Sequence, residues 1–264
     1  MSAEAVKTVD KSEAINEFIN HHVLVNGNAW HLPFIGDIPL PHWLPIHALM
    51  LVIATVFLLL LFLLGYKRGA VVQTGIGNVL ELFVAFVRDN IVVPNIGEHD
   101  GKKMTPLFCS FFFFVLTLNL LGQIPFFVTA TGNVNVTLAL AFVTLGFMVI
   151  GTIVKNGVGG FIKCFVPSGI PWPVLILLVP IEFVSMFIKA AALSIRLFAN
   201  MMAGHIVLLA LLSLAVAIQL WVAIFAVPLG VAISLLEIFV CFLQAYVFTL
   251  LSAIFIGQMY HPAH

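Results

Sequence analysis

Apolar residues run in five stretches long enough to cross a bilayer, and the polar residues between them set the boundaries. Residues 46–65 form the first stretch, closed by Tyr66, Lys67 and Arg68. From Met104 to Val154 no charged residue occurs, and the turn TATGNVN (129–135) divides this run into two spans, 104–128 and 134–154. Thr105-Pro106 reads as the start of the earlier one, threonine as cap and proline in the first turn. Residues 174–216 and 222–258 are almost wholly apolar. Helices of that length extend about 60 Å, twice the hydrocarbon thickness, so they must tilt steeply or bend. Between the first two spans, residues 74–93 differ. Ile76, Val79, Leu80, Phe83 and Val87 recur at helical spacing while Asn78, Glu81, Arg88 and Asp89 take other faces, which predicts an amphipathic helix at the membrane surface.

The pattern predicts an all-α polytopic membrane protein: five transmembrane crossings, one amphipathic surface helix, and long, steeply tilted helices at the end. Residues 1–45 read as a polar N-terminal arm, with Trp30 and Trp43 at headgroup level. Residues 46–260 read as one membrane domain. Composition agrees, with 62% hydrophobic and 8% charged residues and a mean hydropathy of +1.18 over 264 residues. A soluble domain carries about 25% charged residues. The formal net charge of zero gives no attraction to nucleic acid. Cys109, Cys164 and Cys241 are far apart and outside any CxxC spacing, so neither a disulfide framework nor a metal site is expected. The first 20 residues are acidic, without the basic and apolar regions of a signal or transit peptide. Lysine and arginine concentrate in the 66–104 and 155–173 connections, which puts those on the cytoplasmic side. The arm is then extracytoplasmic and the C-terminus cytoplasmic.

The candidate chemistry lies in the last two spans. Glu182, Lys189 and Arg196 repeat every seven residues, and Asn200 lies one turn further, so they form one polar stripe. Small residues (Ala190, Ala191, Ala192, Ala199, Ala203, Gly204) surround it and allow close approach of another helix. Glu237, Gln244 and Gln258 repeat on the last span. An antiparallel register with Arg196 opposite Gln244 brings His205 to Glu237 and Glu182 to Gln258, and leaves Lys189 and Asn200 without polar partners. A guanidinium near mid-bilayer costs at least about 2.5–3.5 kcal/mol and cannot lose its proton. No acid of this chain falls close to Arg196 in that register, so its partner is expected from another subunit. His205 and Glu237 can both exchange protons near neutrality.

The motif SIRLFANMMAGH (194–205), with Glu237 and Gln244 some forty residues later and TLNLLGQIP (117–125) earlier, resembles subunit a of the F-type ATP synthase membrane sector. The resemblance covers roughly residues 40–260. It implies a non-catalytic proton-channel subunit, without cofactor, of the H⁺-transporting two-sector ATPase. Its partners would be a rotating ring of c subunits, the peripheral-stalk b subunits, the rest of the complex and the lipid bilayer. Two aqueous half-channels would deliver protons to ring carboxylates and drive ATP synthesis. Arg196 takes the place of the family's essential arginine facing those carboxylates, with Asn200 and Gln244 as companions. His205 and Glu237 match the inlet pair, in an order that some relatives swap, Glu182 the inner-channel acid, and Asn119 a polar hairpin position. Some relatives carry an acid at Gly122-Gln123. A bacterial inner membrane is the expected location, and the ring site rather than this chain would select H⁺ or Na⁺. The alternative reading is a secondary transporter or stand-alone proton channel, which calls for mid-membrane broken helices or an inverted repeat.

Overall fold

The computed structural model describes residues 29–32, 36–39, 41, 45–66, 73–124, 127–166, 171–217 and 220–260. Most of the N-terminal arm, Trp43 included, lies outside them. Within the arm, β1 (Ala29–Leu32) and β2 (Gly36–Pro39) form an antiparallel hairpin with Trp30 opposite Ile38. The rest is helical: α1 (Ile46–Gly65), α2 (Ile76–Phe86), a π-helical turn (Val87–Val92), α3 (Val93–Ile96) and α4 (Glu98–Gly122). A 3₁₀ turn (Ala130–Gly132) then leads to α5 (Val134–Cys164), α6 (Trp172–Ala217) and α7 (Leu220–Tyr260). Five of these helices, α1 and α4 to α7, are long and apolar enough to cross a membrane.

Helix α4 is the centre of the bundle. In its membrane-length segment 61% of residues are buried, against 11% in α6 and 17% in α7. The last two helices therefore leave much of their surface to lipid or to a neighbour. Phe108, Phe111, Phe112 and Phe113 of α4 are buried and form edge contacts to Phe62 of α1 (5.1 Å) and Phe248 of α7 (6.0 Å). Aromatic edges on ring faces help hold these helices together.

Three boundaries depart from the sequence reading. Helix α4 starts at Glu98, not at Thr105, because the polar run 98–103 forms helical turns beyond the apolar segment. Pro106 lies inside the helix, and Thr105 caps nothing: its hydroxyl bonds back to the Gly101 carbonyl at 2.8 Å. The same helix ends at Gly122 rather than 128. Helix α5 runs past 154 to Cys164, but Gly157 breaks it with φ 73° and ψ 171°, a conformation that excludes other residues sterically. The amphipathic segment docks Leu80, Phe83 and Val87 on protein, Phe83 lying 5.8 Å from Phe112, while Ile76, Val79 and Leu82 stay exposed. Pro94 cannot donate a backbone N–H, and the chain passes through the π turn there, Asn95 Nδ2 donating to the Ile91 carbonyl at 2.7 Å.

The end of α7 is anchored by several independent contacts. Asn156 Nδ2 donates to the Tyr260 carbonyl at 3.4 Å, Lys155 sits 4.8 Å above the Tyr260 ring and pairs with Asp100. A methyl group at Gly257 would strike the backbone carbonyl of Asn95. Backbone cannot yield as a side chain does, so Gly257→Ala is expected to destabilise the fold by about 1–3 kcal/mol. Thermal unfolding of the detergent-solubilised protein measures this; an unchanged midpoint contradicts the packing.

Candidate functional site

Two faces of α6 separate two kinds of chemistry. Met186, Ala190, Leu193, Leu197 and Met201 are buried at spacings of three and four residues, which fixes one face inward. Ala192, Ile195, Arg196, Ala199 and Ala203 are exposed on the other. Arg196 lies near the middle of this 46-residue helix. Among the described residues its guanidinium has no hydrogen bond and no ion pair. Gln244 is buried on α7, and no hydrogen bond joins it to Arg196. Asn200, one turn beyond, is half-buried.

On the inward side the polar groups converge at one end of the α6–α7 pair. Glu237 is buried and lies directly against Gly204, whose missing side chain makes the room. Its two carboxyl oxygens have no hydrogen-bond partner among the described residues. Gln123, at the end of α4, places its amide within interaction range of Glu237 and 3.8 Å from Cys241 Sγ and 3.9 Å from Met201 Sδ. His205 Nε2 lies 2.8 Å from the Thr129 hydroxyl, in the connection that follows α4. Asn119, one turn back on α4, and Thr131 in the 3₁₀ turn are buried, and Asn119 Oδ1 and Thr131 Oγ1 also have no partner there. Helix interiors supply few donors, so such acceptors call for water or a proton.

Among the described residues no hydrogen bond or ion pair joins His205 to Glu237: the imidazole meets Thr129 and the carboxylate lies against Gly204, the residue before His205 on α6. Towards the other end the register differs. Lys189 Nζ, not Glu182, reaches Gln258 Oε1, at 3.4 Å, and also lies 3.6 Å from Glu182 Oε1. Lys189 was expected to lack a polar partner; its four-carbon stem spans a turn of α6 and crosses to α7, 5.6 Å over the Phe255 ring. Sequence reasoning missed Thr129 as a partner of His205, and Gln123 as a neighbour of Glu237. Their one signal was polarity beside the hairpin turn. Among the described residues no group of three His, Cys, Asp or Glu side chains is placed to hold a metal ion.

Residues 48–257 match the family described as ATP synthase A chain. The chain belongs to that family. It is 44% identical over 223 residues to the ATP synthase subunit a of Anaeromyxobacter sp. strain Fw109-5, covering 83% of this chain and 55% of that protein. It is 39% identical over 273 residues to subunit a 2 of Chlorobaculum tepidum, covering 97% and 76%. With subunit a of Myxococcus xanthus it shares 42% over 224 residues, covering 83% and 73%. The chain spans little more than half the length of the Anaeromyxobacter relatives. As a member of the ATP synthase A chain family with five membrane-length helices among the described residues, it is an integral membrane protein.

Proposed function

We propose that the chain is the stationary, proton-conducting partner of a rotating ring of acidic hairpin subunits, and that it drives ATP synthesis by feeding protons to that ring through two half-channels. The observation that carries this is Arg196: a permanent charge at mid-helix, exposed between alanines, with no acid against it among the described residues. A membrane-level guanidinium needs a carboxylate, and small neighbours let a partner helix bring one. A protonated carboxyl enters lipid at little cost, whereas the ionised form does not. Arg196 favours the ionised state as each ring site passes, so it releases the proton and separates the two half-channels. It works as a gate and makes no bond. Each charge moved gains about 2.3 kcal/mol per 100 mV.

In this reading His205 and Glu237 form the outer inlet, supported by the burial of Glu237 against Gly204 and the contact of half-buried His205 with the Thr129 hydroxyl. Glu182, with Lys189 on it, serves the inner exit. Asn200 and Gln244 flank the gate. The complex would include the c ring, the peripheral-stalk b subunits and the catalytic sector, in a bacterial plasma membrane, with the N-terminus outside and the C-terminus cytoplasmic. The rival reading as a lone transporter or channel has no observation in its favour.

Cysteine crosslinking in the assembled complex tests the interface. Cysteines at exposed positions 192, 199 and 203 are expected to couple to single cysteines on the ring subunit. Those at buried 193 and 197 are not. The opposite pattern defeats the proposal.

A further inference from the structure

The inlet reading leaves open what holds the imidazole of His205. On α6 itself the neighbours of His205 include Gly204 and the exposed Ala203, Ile206 and Val207, none of which offers a polar side chain. Among the described residues the one side-chain hydrogen bond to the ring joins Nε2 to Thr129 Oγ1, on another element, at 2.8 Å. Thr129 is itself placed by tight packing: the space a side chain at Gly122 would take is filled by the Thr129 methyl and the end of Met201. The following turn is short and 3₁₀-helical, with Gly132 N–H donating to the Thr129 carbonyl at 3.2 Å. Thr129 thus stands on a fixed backbone, with its methyl buried against α4 and its hydroxyl turned to α6.

We infer that Thr129 is a positioning residue for His205, holding the imidazole in the inlet through both of its protonation states. This rests on the proposed inlet role of His205. A hydroxyl suits the task because it is both donor and acceptor. It donates to Nε2 when that nitrogen is bare, and rotates to accept from Nε2–H when the ring carries two protons. The heavy atoms need not move. A carboxylate here would trap the proton, and an amide would have to flip between states. Among the described residues the other titratable groups on this side of the bundle are Glu237 and Cys241 on α7 and His47 on α1, whose neighbour Ile46 packs with Ala130 of the 3₁₀ turn. The end of α4 and the 3₁₀ turn contribute only neutral Asn119, Gln123, Thr129 and Thr131. The nearest charge on α6 is Arg196, more than two turns away. Thr129 is therefore the direct side-chain contact through which the ring's two states can be evened out.

Thr129→Val keeps the shape and removes the hydroxyl. Its loss takes a hydrogen bond from both ring states, but the bond to the charged ring is the stronger one. The doubly protonated form is then disfavoured, and the ring gives up its proton at lower pH. ATP-driven proton pumping, measured from pH 5.5 to 9 in inverted vesicles carrying the whole complex, is expected to fall several-fold, with its alkaline limb moved down by about one pH unit. Thr129→Ser should restore both rate and limb. An unchanged pH profile in Thr129→Val, or a serine variant no better than valine, overturns the inference. If the valine variant does not assemble, serine against alanine in assembled complexes makes the same comparison. His205→Ala separates the two levels. If it pumps with the wild-type profile, the inlet reading itself fails; if it is impaired while Thr129→Val is not, only the positioning role falls.

Discussion

ATP synthesis in vesicles carrying Arg196→Ala is expected to fall to background, about two orders of magnitude or more below wild type, while the complex still assembles. The magnitude follows from the pairing. Removing one member of a desolvated charge pair typically costs 2–5 kcal/mol, and every 1.4 kcal/mol is about a factor of ten. The side chain is exposed and has no intrachain bond among the described residues, so its removal breaks no packing and leaves no buried partner within this chain. That separates the effect from instability. With the gate gone, protons can pass between the half-channels without turning the ring, so passive leak should rise as synthesis falls. Arg196→Lys should be intermediate, since an ammonium keeps the charge but can lose its proton in a poorly hydrated site. Synthesis driven by an imposed proton gradient, and leak in the same vesicles, measure both. Normal synthesis in the alanine variant would remove the gate.

How far the sequence leads depends on distance along the chain. Ile46–Gly65 was legible to the residue because Pro45 precedes it and Tyr66-Lys67-Arg68 ends it, both local signals. Arg196 and Glu237 stood out as candidates because charged residues are rare in the last two helices. The start of α4 was not. Thr105-Pro106 is a good local start, yet the polar turns from Glu98 continue into the apolar helix and Pro106 is absorbed in its interior. The partners at the inlet were not legible either. Thr129 and His205 are 76 positions apart, and Gln123 and Cys241 are 118 apart, so only the packing of α4 against α7 and of the 3₁₀ turn against α6 brings them together. Lys189 shows a further limit: residue pairing by register ignores how far a lysine reaches, and it took the glutamine expected beside Glu182.

Gly204→Ala is expected to slow proton transport about tenfold while leaving assembly intact. A Cβ at 204 would stand 2.6 Å from the carboxyl carbon of Glu237 and 3.0 Å from its Cγ. The carboxylate end alone cannot give way, because Cγ is already crowded. The side chain must leave its rotamer or push α7 away from α6, and such changes cost about 1–3 kcal/mol. The displacement moves the carboxyl group relative to the Gln123 amide and to His205, on which the proposed inlet depends. Shortening the acid should relieve the clash. Gly204→Ala combined with Glu237→Asp withdraws the carboxyl by one methylene and is expected to regain part of the lost rate, although Glu237→Asp alone is impaired. Such reciprocal rescue is the mark of two groups sharing one space. Pumping rates per assembled complex in the two single variants and the double variant decide it. Additive losses, or a Gly204→Ala variant with wild-type rates, would mean that the carboxylate does not rest on this glycine when the complex works.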